Sequence, residues 1–271
     1  MFVIALLLAI LGVVVAIFMK QSSERGAQSL RSSHHQPTTT TTNTTNPTSQ
    51  PREEERLAQI HARLSILHGN MHDEYQEQLM ALKYIKPHHR VLEFGGNVGR
   101  NSLVIASILD DSSNLVTFEC DPSTAKKLEE NRDANRMRFH IETAALSNTR
   151  LQQKGWVSKT ILNDTVESGW EEIATQTYTN FRSKPHAIEP FDVLVVDCEG
   201  CIVPILEANR EILDEVELVL IENDFVWPEK LQEQFDDLGF KNIYSRDYFD
   251  RVGFYQTWRK MPSTQSEHHN R

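Results

Sequence analysis

Acidic side chains follow four apolar stretches of the chain that have the length and composition of buried β-strands. Glu93 lies in the first stretch, Glu119 ends the second, Asp197 and Glu199 end the third, and Glu222 follows the fourth. Carboxylates can accept hydrogen bonds from hydroxyl groups, hold a cation or take up a proton. Ligands of open α/β sheets lie beyond the carboxyl ends of the strands. We therefore expect these acids to line one polar crevice.

A glycine turn joins the first of these strands to a predicted helix. It contains Gly95, Gly96, Asn97 and Gly99. Glycine lets the backbone pass close to a ligand, and a helix start offers free N–H groups and a positive dipole end. A dinucleotide fingerprint needs glycine at the first, third and sixth positions, and the third and sixth here are Asn97 and Arg100. The pattern therefore disfavours an NAD-dependent dehydrogenase.

The spacing of Glu93, Gly95 and Gly99 matches the acid-x-Gly-x-x-x-Gly arrangement of S-adenosylmethionine (SAM) methyltransferases. Such a turn also occurs as a purely structural strand-to-helix connection. A second acid at the expected spacing is therefore needed to support a cofactor site. Glu119 lies about 20 residues after Gly99, where the acid ending the second strand contacts ribose hydroxyls. The alternative is that Glu119 and Asp121 only cap the following helix. We predict that Asp121 is the cap and Glu119 the ligand.

The chain resembles the FkbM-type SAM-dependent methyltransferases from roughly Asp73 to Trp258. Three segments carry the resemblance: the glycine turn with its asparagine, the run from Thr143 to Ser147, and Asp197–Gly200, which matches the D-x-E-G hallmark of the family. Two positions depart from the family pattern, because Val195 stands where lysine is common and Ile202 where an acid is common.

The resemblance implies SAM as the cofactor and assigns the residues that bind it. Those expected to bind SAM are Glu93, Gly95, Gly96, Asn97, Gly99, Glu119, Ala144, Ala145 and Asp197. Within this set, the residues of the first strand and the glycine turn hold the methionine end, Glu119 holds the ribose, and Ala144 and Ala145 flank the adenine. Asp197 and Glu199 would line the methyl-transfer site.

The reaction expected from this assignment is direct displacement, in which a substrate hydroxyl attacks the methyl group. Asp197 and Glu199 are the candidate bases, because neighbouring acids can raise one another's pKa. Alternatively, Asp197 binds the amino group of SAM and Glu199 caps the next helix. A metal-assisted O-methyltransferase would use Asp197 with Asn223 and Asp224. A membrane-tethered module that binds SAM without catalysis is a further alternative.

Two cysteines, Cys198 and Cys201, form a C-x-x-C at the start of a predicted helix. Such a pair can form a redox or metal site, but no second pair accompanies it, and His186 is the one histidine near it in sequence. We therefore favour the methyl-transfer reading of this segment.

The net charge of −10 argues against partners rich in phosphate, and no basic stripe with aromatic residues offsets it. We therefore expect no nucleic-acid partner. The family resemblance implies a small hydroxylated substrate, such as a carbohydrate. The oligomeric state stays open.

The predicted domain organisation has four parts. Residues 1–20 form a transmembrane anchor, because the uncharged stretch Met1–Met19, at about 1.5 Å per helical residue, spans a bilayer core. A cleaved signal peptide is the alternative, although it would need a basic start. Residues 21–52 form a disordered Thr-rich linker, residues 53–261 the methyltransferase domain, and residues 262–271 a disordered tail.

The side of the membrane follows from the charges next to the anchor. Lys20, Arg25 and Arg31 follow it, so the positive-inside rule places the catalytic domain of this single-pass protein in the cytosol. The tract from Gln36 to Pro51 is typical instead of an O-glycosylated luminal stalk, and Asn43 begins an N-glycosylation sequon. A luminal domain is therefore the alternative.

The fold class predicted is α/β, a Rossmann-like class I methyltransferase sheet of seven mostly parallel strands. Its last two strands, 240–244 and 253–258, would form an antiparallel edge hairpin. The third strand is predicted over 137–142.

Two N-terminal helices are expected to cover the sheet edge. Their apolar residues lie at 57, 60, 64 and 67 and at 75, 79 and 82. An insertion from about Gln152 to Glu189 could form a substrate lid.

Overall fold

The computed structural model describes residues 52–187, 190–224, 228–248 and 253–262. The predicted anchor, most of the linker and nearly all of the tail lie outside these residues, so those assignments stay predictions. Within the described ranges, no helix is both long enough and apolar enough to cross a membrane.

A seven-stranded sheet forms the centre of the described domain, in the order β3-β2-β1-β9-β10-β12-β11. Its strands are β1 (Val91–Phe94), β2 (Leu115–Phe118), β3 (His140–Glu142), β9 (Val193–Asp197), β10 (Leu218–Asp224), β11 (Phe240–Tyr248) and β12 (Gly253–Lys260). Strands β3, β2, β1, β9 and β10 pair in parallel, and β12 is antiparallel to both of its neighbours. The seven-stranded, mostly parallel sheet and its antiparallel hairpin are confirmed, although β3 starts three residues later than predicted.

Seven helices surround the sheet in the described residues: α1 (Glu53–His61), α2 (Tyr75–Tyr84), α3 (Arg100–Ile108), α4 (Pro122–Ala134), α5 (Tyr178–Arg182), α6 (Ile202–Ala208) and α7 (Pro228–Asp237). Alternate residues of the buried strands face opposite sides. Val193 and Val195 pack with residues of α2 and α3 on one face, while Leu194 and Val196 pack with residues of α5, α6 and α7 on the other. The sheet is therefore covered on both faces, which explains why its central strands are mainly apolar.

The N-terminal helices differ from the prediction in length and position. α1 ends at His61, so Leu64 and Leu67 lie beyond it, and the Leu67 side chain is largely exposed. α2 covers a sheet face rather than the edge, because Met80 and Ala81 pack against the central strands. The single buried residue of α1, Leu57, packs with residues of α2 and α3. Apolar spacing correctly identified the helices but not what they cover.

The insertion, for which the sequence showed no period, contains regular structure. It includes a three-stranded antiparallel sheet of β5 (Leu151–Lys154), β6 (Val157–Thr160) and β7 (Glu171–Ile173). The strand β8 (Thr175–Gln176) then pairs in parallel with β4 (Ala145–Leu146). Cys120 Sγ, just after β2, lies 3.6 Å from Gln153 Oε1, so the small sheet contacts the carboxyl end of β2.

Candidate functional site

The glycine turn meets the end of β9 at the topological switch point of the sheet. From β1 the chain continues to β2 and β3 on one side, and later returns to β9 and β10 on the other. This is the place where open α/β sheets bind their ligands. Gly95 has φ +90°, and a Cβ at this position would lie 1.6 Å from the carbonyl oxygen of Asp197. The two predicted site segments therefore touch through their backbones.

The other two glycines are also required by packing within the protein. A Cβ on Gly96 would lie 2.5 Å from Thr117 Oγ1, and one on Gly99 would lie 2.3 Å from a methyl carbon of Leu128. The sequence suggested that glycine makes room for a ligand. In the structure, glycine first makes room for β2, β9 and α4, which brings the turn close to both neighbouring strands.

Glu119 holds the glycine turn from the end of β2. Its Oε2 accepts the backbone N–H of Asn97 at 2.8 Å, and its Oε1 accepts that of Asp121 at 2.8 Å. Burial raises the pKa of Glu119. Asp121 accepts the N–H of Thr124 and caps α4, as predicted. The proposed ribose acid and the glycine turn thus form one hydrogen-bonded unit, with Asn97 in the left-handed region at φ +47°.

The residues expected to flank the adenine lie next to this unit. The carbonyl of Glu142, at the end of β3, accepts the N–H of Glu119 at 3.1 Å and that of Ala144 at 2.9 Å. Ala144 is buried and Ala145 is half-buried. Ala144 and Glu119 therefore share one carbonyl acceptor, and Ala145 follows Ala144 in the chain.

The start of α3 already holds an anion that the sequence analysis missed. Glu74 Oε2 accepts the backbone N–H of Asn101 at 3.1 Å, while its Oε1 pairs with the Arg100 guanidinium at 2.6 Å. Glu74 is buried, and burial raises its pKa. A dinucleotide pyrophosphate would need this helix end, and the carboxylate of Glu74 occupies it. Glu74 therefore takes one of the N–H groups that a dinucleotide would use.

Glu93 lies beneath the glycine turn rather than in the crevice. Its side chain is 2% exposed, and its Oε2 accepts a hydrogen bond from the hydroxyl of Ser102 in α3. Burial raises the pKa of Glu93 to about 7. This geometry makes Glu93 a residue that fixes the strand to the helix, and any effect on SAM would act through the turn.

We predict that Glu93 makes the stability of the domain depend on pH. The folded protein holds this proton up to about pH 7, whereas the unfolded chain releases it near its ordinary pKa of 4.5. The unfolding free energy therefore falls as pH rises through this window, by about 3 kcal/mol from this group. Glu93→Gln cannot ionise. Its unfolding free energy relative to wild type should rise by about that amount between pH 4.5 and 8 in urea denaturation.

A matched control for this prediction is Glu171→Gln, which replaces an exposed carboxylate in β7. Its unfolding free energy relative to wild type should stay flat over the same pH range. A flat difference for Glu93→Gln as well would contradict the prediction.

Three carboxylates from different elements meet at the ends of β9 and β10. Glu77 of α2, Asp197 and Glu222 each place an oxygen within 4.8 Å of the others. Glu77 is 5% exposed. Burial, and then the neighbouring Glu222, raise the pKa of Glu77. Burial, followed by the charges of Glu77 and Glu222, also raises the pKa of Tyr255 in β12. The clustered carboxylates therefore favour the binding of a proton or another cation at this end of the sheet.

Asp197 meets two acids that the sequence did not pair with it. The sequence paired Asp197 with Glu199, and the structure adds Glu77 and Glu222. Glu199 is exposed, in a turn with φ +51°. Glu77 could have been noticed in the sequence, because it lies three and four residues before the buried Met80 and Ala81 and so shares their helix face. Asn223 is buried, and nothing is described for the Asp224 side chain.

The two cysteines beside Asp197 form a disulfide, between Cys198 and Cys201. The spacing of the two cysteines did not by itself indicate a redox or metal site. The bond closes the turn from β9 into α6, in which the N–H of Cys201 also donates to the carbonyl of Cys198 at 3.1 Å. The turn that follows Asp197 is therefore covalently constrained. The third cysteine, Cys120, is a free thiol.

The sheet order, the glycine turn at the switch point and the acids at the strand ends define a Rossmann-like α/β domain of the methyltransferase type. No protein-family model matches the chain, and no curated protein matches it.

Several solved structures are similar in fold. A Streptococcus pneumoniae protein assigned as a tRNA (m1A22) methyltransferase, in complex with SAM, is 12% identical over 71% of this chain and 75% of that chain, with a TM-score of 0.46. A Klebsiella pneumoniae protein assigned as an O-methyltransferase is 16% identical over 79% and 92%, with a TM-score of 0.44. The ribosomal protein L11 methylase of Lactobacillus delbrueckii is 12% identical over 70% and 80%, with a TM-score of 0.44.

Proposed function

We propose that this protein is a SAM-dependent methyltransferase that transfers a methyl group to a hydroxyl of a small acceptor. The observation that carries the proposal is the convergence of Glu119, the glycine turn and Asp197 at the switch point of the sheet. An acid that can accept from hydroxyl groups lies on one side of the turn, and an acid that can hold a cation or a proton lies on the other.

The residues at the crevice fit SAM better than a dinucleotide. SAM carries a sulfonium and an ammonium group, and the cluster of Glu77, Asp197 and Glu222 supplies negative charge for such groups. SAM has no phosphate, and Glu74 already fills the helix end that a pyrophosphate would use. In this proposal Glu119 holds the ribose hydroxyls, and Ala144 and Ala145 flank the adenine.

The chemistry that SAM supplies when bound is an electrophilic methyl group on sulfur. The protein contributes a rigid frame: the contact of Gly95 with the Asp197 backbone and the 198–201 disulfide constrain the backbone that carries the Asp197 carboxylate. Asp197 accepts the proton of the acceptor hydroxyl as the oxygen becomes a nucleophile. The protonated Glu77 leaves negative charge on its partners, which favours that proton transfer.

The acceptor class rests on the resemblance to FkbM-type enzymes, from which we infer a sugar or another small hydroxylated compound. The net charge of −10 disfavours a nucleic-acid acceptor. The fold does not exclude one, since one similar structure is assigned as a tRNA methyltransferase. The metal-assisted alternative places an ion on Asp197, Asn223 and Asp224 and predicts activity that a chelator abolishes.

The test combines binding with product identification. Purified protein is titrated with SAM in a calorimeter and then incubated with labelled SAM and fractionated cell extract, with and without EDTA. We expect binding and one labelled, hydroxyl-methylated small molecule in both conditions. Binding without any labelled product would favour a non-catalytic SAM module, and the absence of SAM binding would overturn the proposal.

We predict that Glu119→Gln weakens SAM binding by about 10- to 100-fold, because hydrogen bonds to a charged group contribute about 1.5–3 kcal/mol. Glutamine retains one acceptor oxygen but loses the charge that faces both the ribose and the Asn97 N–H. Calorimetric titration with SAM measures the change.

The matched control for Glu119→Gln is Asp121→Asn. It removes a carboxylate two residues away, while asparagine still caps α4. SAM affinity should then stay within about threefold of wild type. Equal losses in both variants would show that general electrostatics of the turn, rather than a specific ribose contact, govern binding.

A further inference from the structure

Two histidines and a glutamate, side chains of types that can bind metals, meet at the edge strand β3. His140 and Glu142 are two residues apart in β3 and so share one face, and His186 reaches them from the segment after α5. The Nε2 atoms of His140 and His186 lie 3.3 and 3.1 Å from the same carboxylate oxygen, Glu142 Oε2. One donor atom from each residue lies within 4.8 Å of the others.

This spacing suits a tetrahedral ion. Zinc binds histidine nitrogen and carboxylate oxygen at about 2.0–2.2 Å, so neighbouring ligands of a tetrahedral site lie about 3.3–3.5 Å apart. The two nitrogen-to-oxygen distances at Glu142 come close to that value. We propose that His140, Glu142 and His186 bind a zinc ion, with solvent in the fourth position. The inference does not depend on the methyltransferase proposal.

The surroundings of the three side chains support this proposal. Lys184 Nζ donates to Glu142 Oε1 at 2.7 Å, which fixes the carboxylate and leaves Oε2 directed at the histidines. Both histidines already direct a ring nitrogen at that oxygen.

Zinc binding requires one local rearrangement. The rings of His140 and His186 are stacked, with centroids 3.3 Å apart and planes 19° apart. A metal bond lies in the plane of each imidazole, so the rings must turn away from the stack to point at one ion. The two side chains are 34% and 30% exposed, which leaves space for this rotation.

A zinc ion here would fasten the segment that follows α5 to the edge of the central sheet. The attachment lies beside the crevice, because the Glu142 carbonyl accepts the N–H of Glu119. In the described structure, Lys184 and His186 connect to β3 through hydrogen bonds to the Glu142 side chain. Coordination would replace the His186 hydrogen bond by a stronger, metal-mediated link.

The experiment uses the full chain, stripped with EDTA, dialysed and titrated with ZnCl₂ in a calorimeter. Wild type should bind zinc with an affinity that falls about 100-fold in His140→Ala and in His186→Ala, each of which keeps every other histidine. With Co²⁺ as the probe, wild type should show the visible absorption bands of a tetrahedral site, and both variants should lose them. Equal zinc affinity in wild type and both variants would overturn the proposal.

Two further variants separate coordination from general effects. His68→Ala removes a histidine that also pairs with a glutamate, Glu130, and is similarly exposed at 33%. It should bind zinc as wild type does. Lys184→Ala keeps all three ligands and should keep the cobalt bands, with zinc affinity reduced by at most about tenfold.

If thermal unfolding in EDTA shows that an alanine variant does not fold, His140→Gln and Glu142→Gln are measured in the same way. A loss in His68→Ala as large as in His140→Ala would overturn the site.

Discussion

Gly95→Ala should abolish measurable SAM binding and destabilise the domain by about 3 kcal/mol or more, since overpacking and a left-handed alanine each contribute. The added Cβ would lie 1.6 Å from the carbonyl oxygen of Asp197, and φ is +90° at this position. Neither the end of β1 nor that of β9 can yield easily, because both strands are buried and paired with each other and with further strands. We expect the ends of β1 and β9 to move apart, so that the glycine turn and Asp197 no longer lie close together.

Gly239→Ala is the control that separates backbone strain from the clash. Gly239 also has a left-handed φ, of +77°, but a Cβ there meets nothing within 4 Å. This variant should lose only about 1–2 kcal/mol and should bind SAM as wild type does. Urea denaturation and calorimetric SAM titration of both variants provide the comparison. Similar losses in the two proteins would mean that the close approach of Gly95 to Asp197 is not what shapes the site.

Asp197→Asn should lower the rate of methyl transfer by about 10²–10⁴-fold, the range that general acid–base catalysis contributes. Asparagine has nearly the same shape but cannot accept a proton from the substrate hydroxyl. The measurement is single-turnover transfer of labelled methyl from saturating SAM to the acceptor identified in cell extract. SAM affinity should change by less than about tenfold if the carboxylate acts mainly as a base.

Two outcomes distinguish the possible roles of Asp197. A large loss of SAM affinity with an unchanged rate at saturating SAM would assign this residue to the ammonium group of SAM and contradict the base assignment. Glu199→Gln provides the comparison, because Glu199 is the other base candidate and lies exposed in the turn. We expect its loss of rate to stay below about tenfold. A larger loss there than in Asp197→Asn would transfer the base role to Glu199.

The local sequence determined the main elements of this domain and the acids at their ends. Strand-length segments predicted seven strands close to their observed places in the chain. The central strands were the clearest, because burial on both faces favours runs of apolar residues. Asp121 and Pro122 predicted the start of α4, because capping and proline geometry involve only residues next to each other. The glycine turn was also evident, since its residues are consecutive.

Tertiary structure alone decided which side chains surround these acids. Glu74 meets Arg100, Glu77 meets Asp197, and Glu142 meets His186 across long stretches of chain. Periodicity tells which face of a helix or strand is buried but not which distant element covers that face. For that reason α2 was expected at the sheet edge and lies on its face, where it brings Glu77 to the crevice. The glycines show the same division. Their spacing is visible in the sequence, but the Asp197 backbone that makes Gly95 necessary lies on another strand.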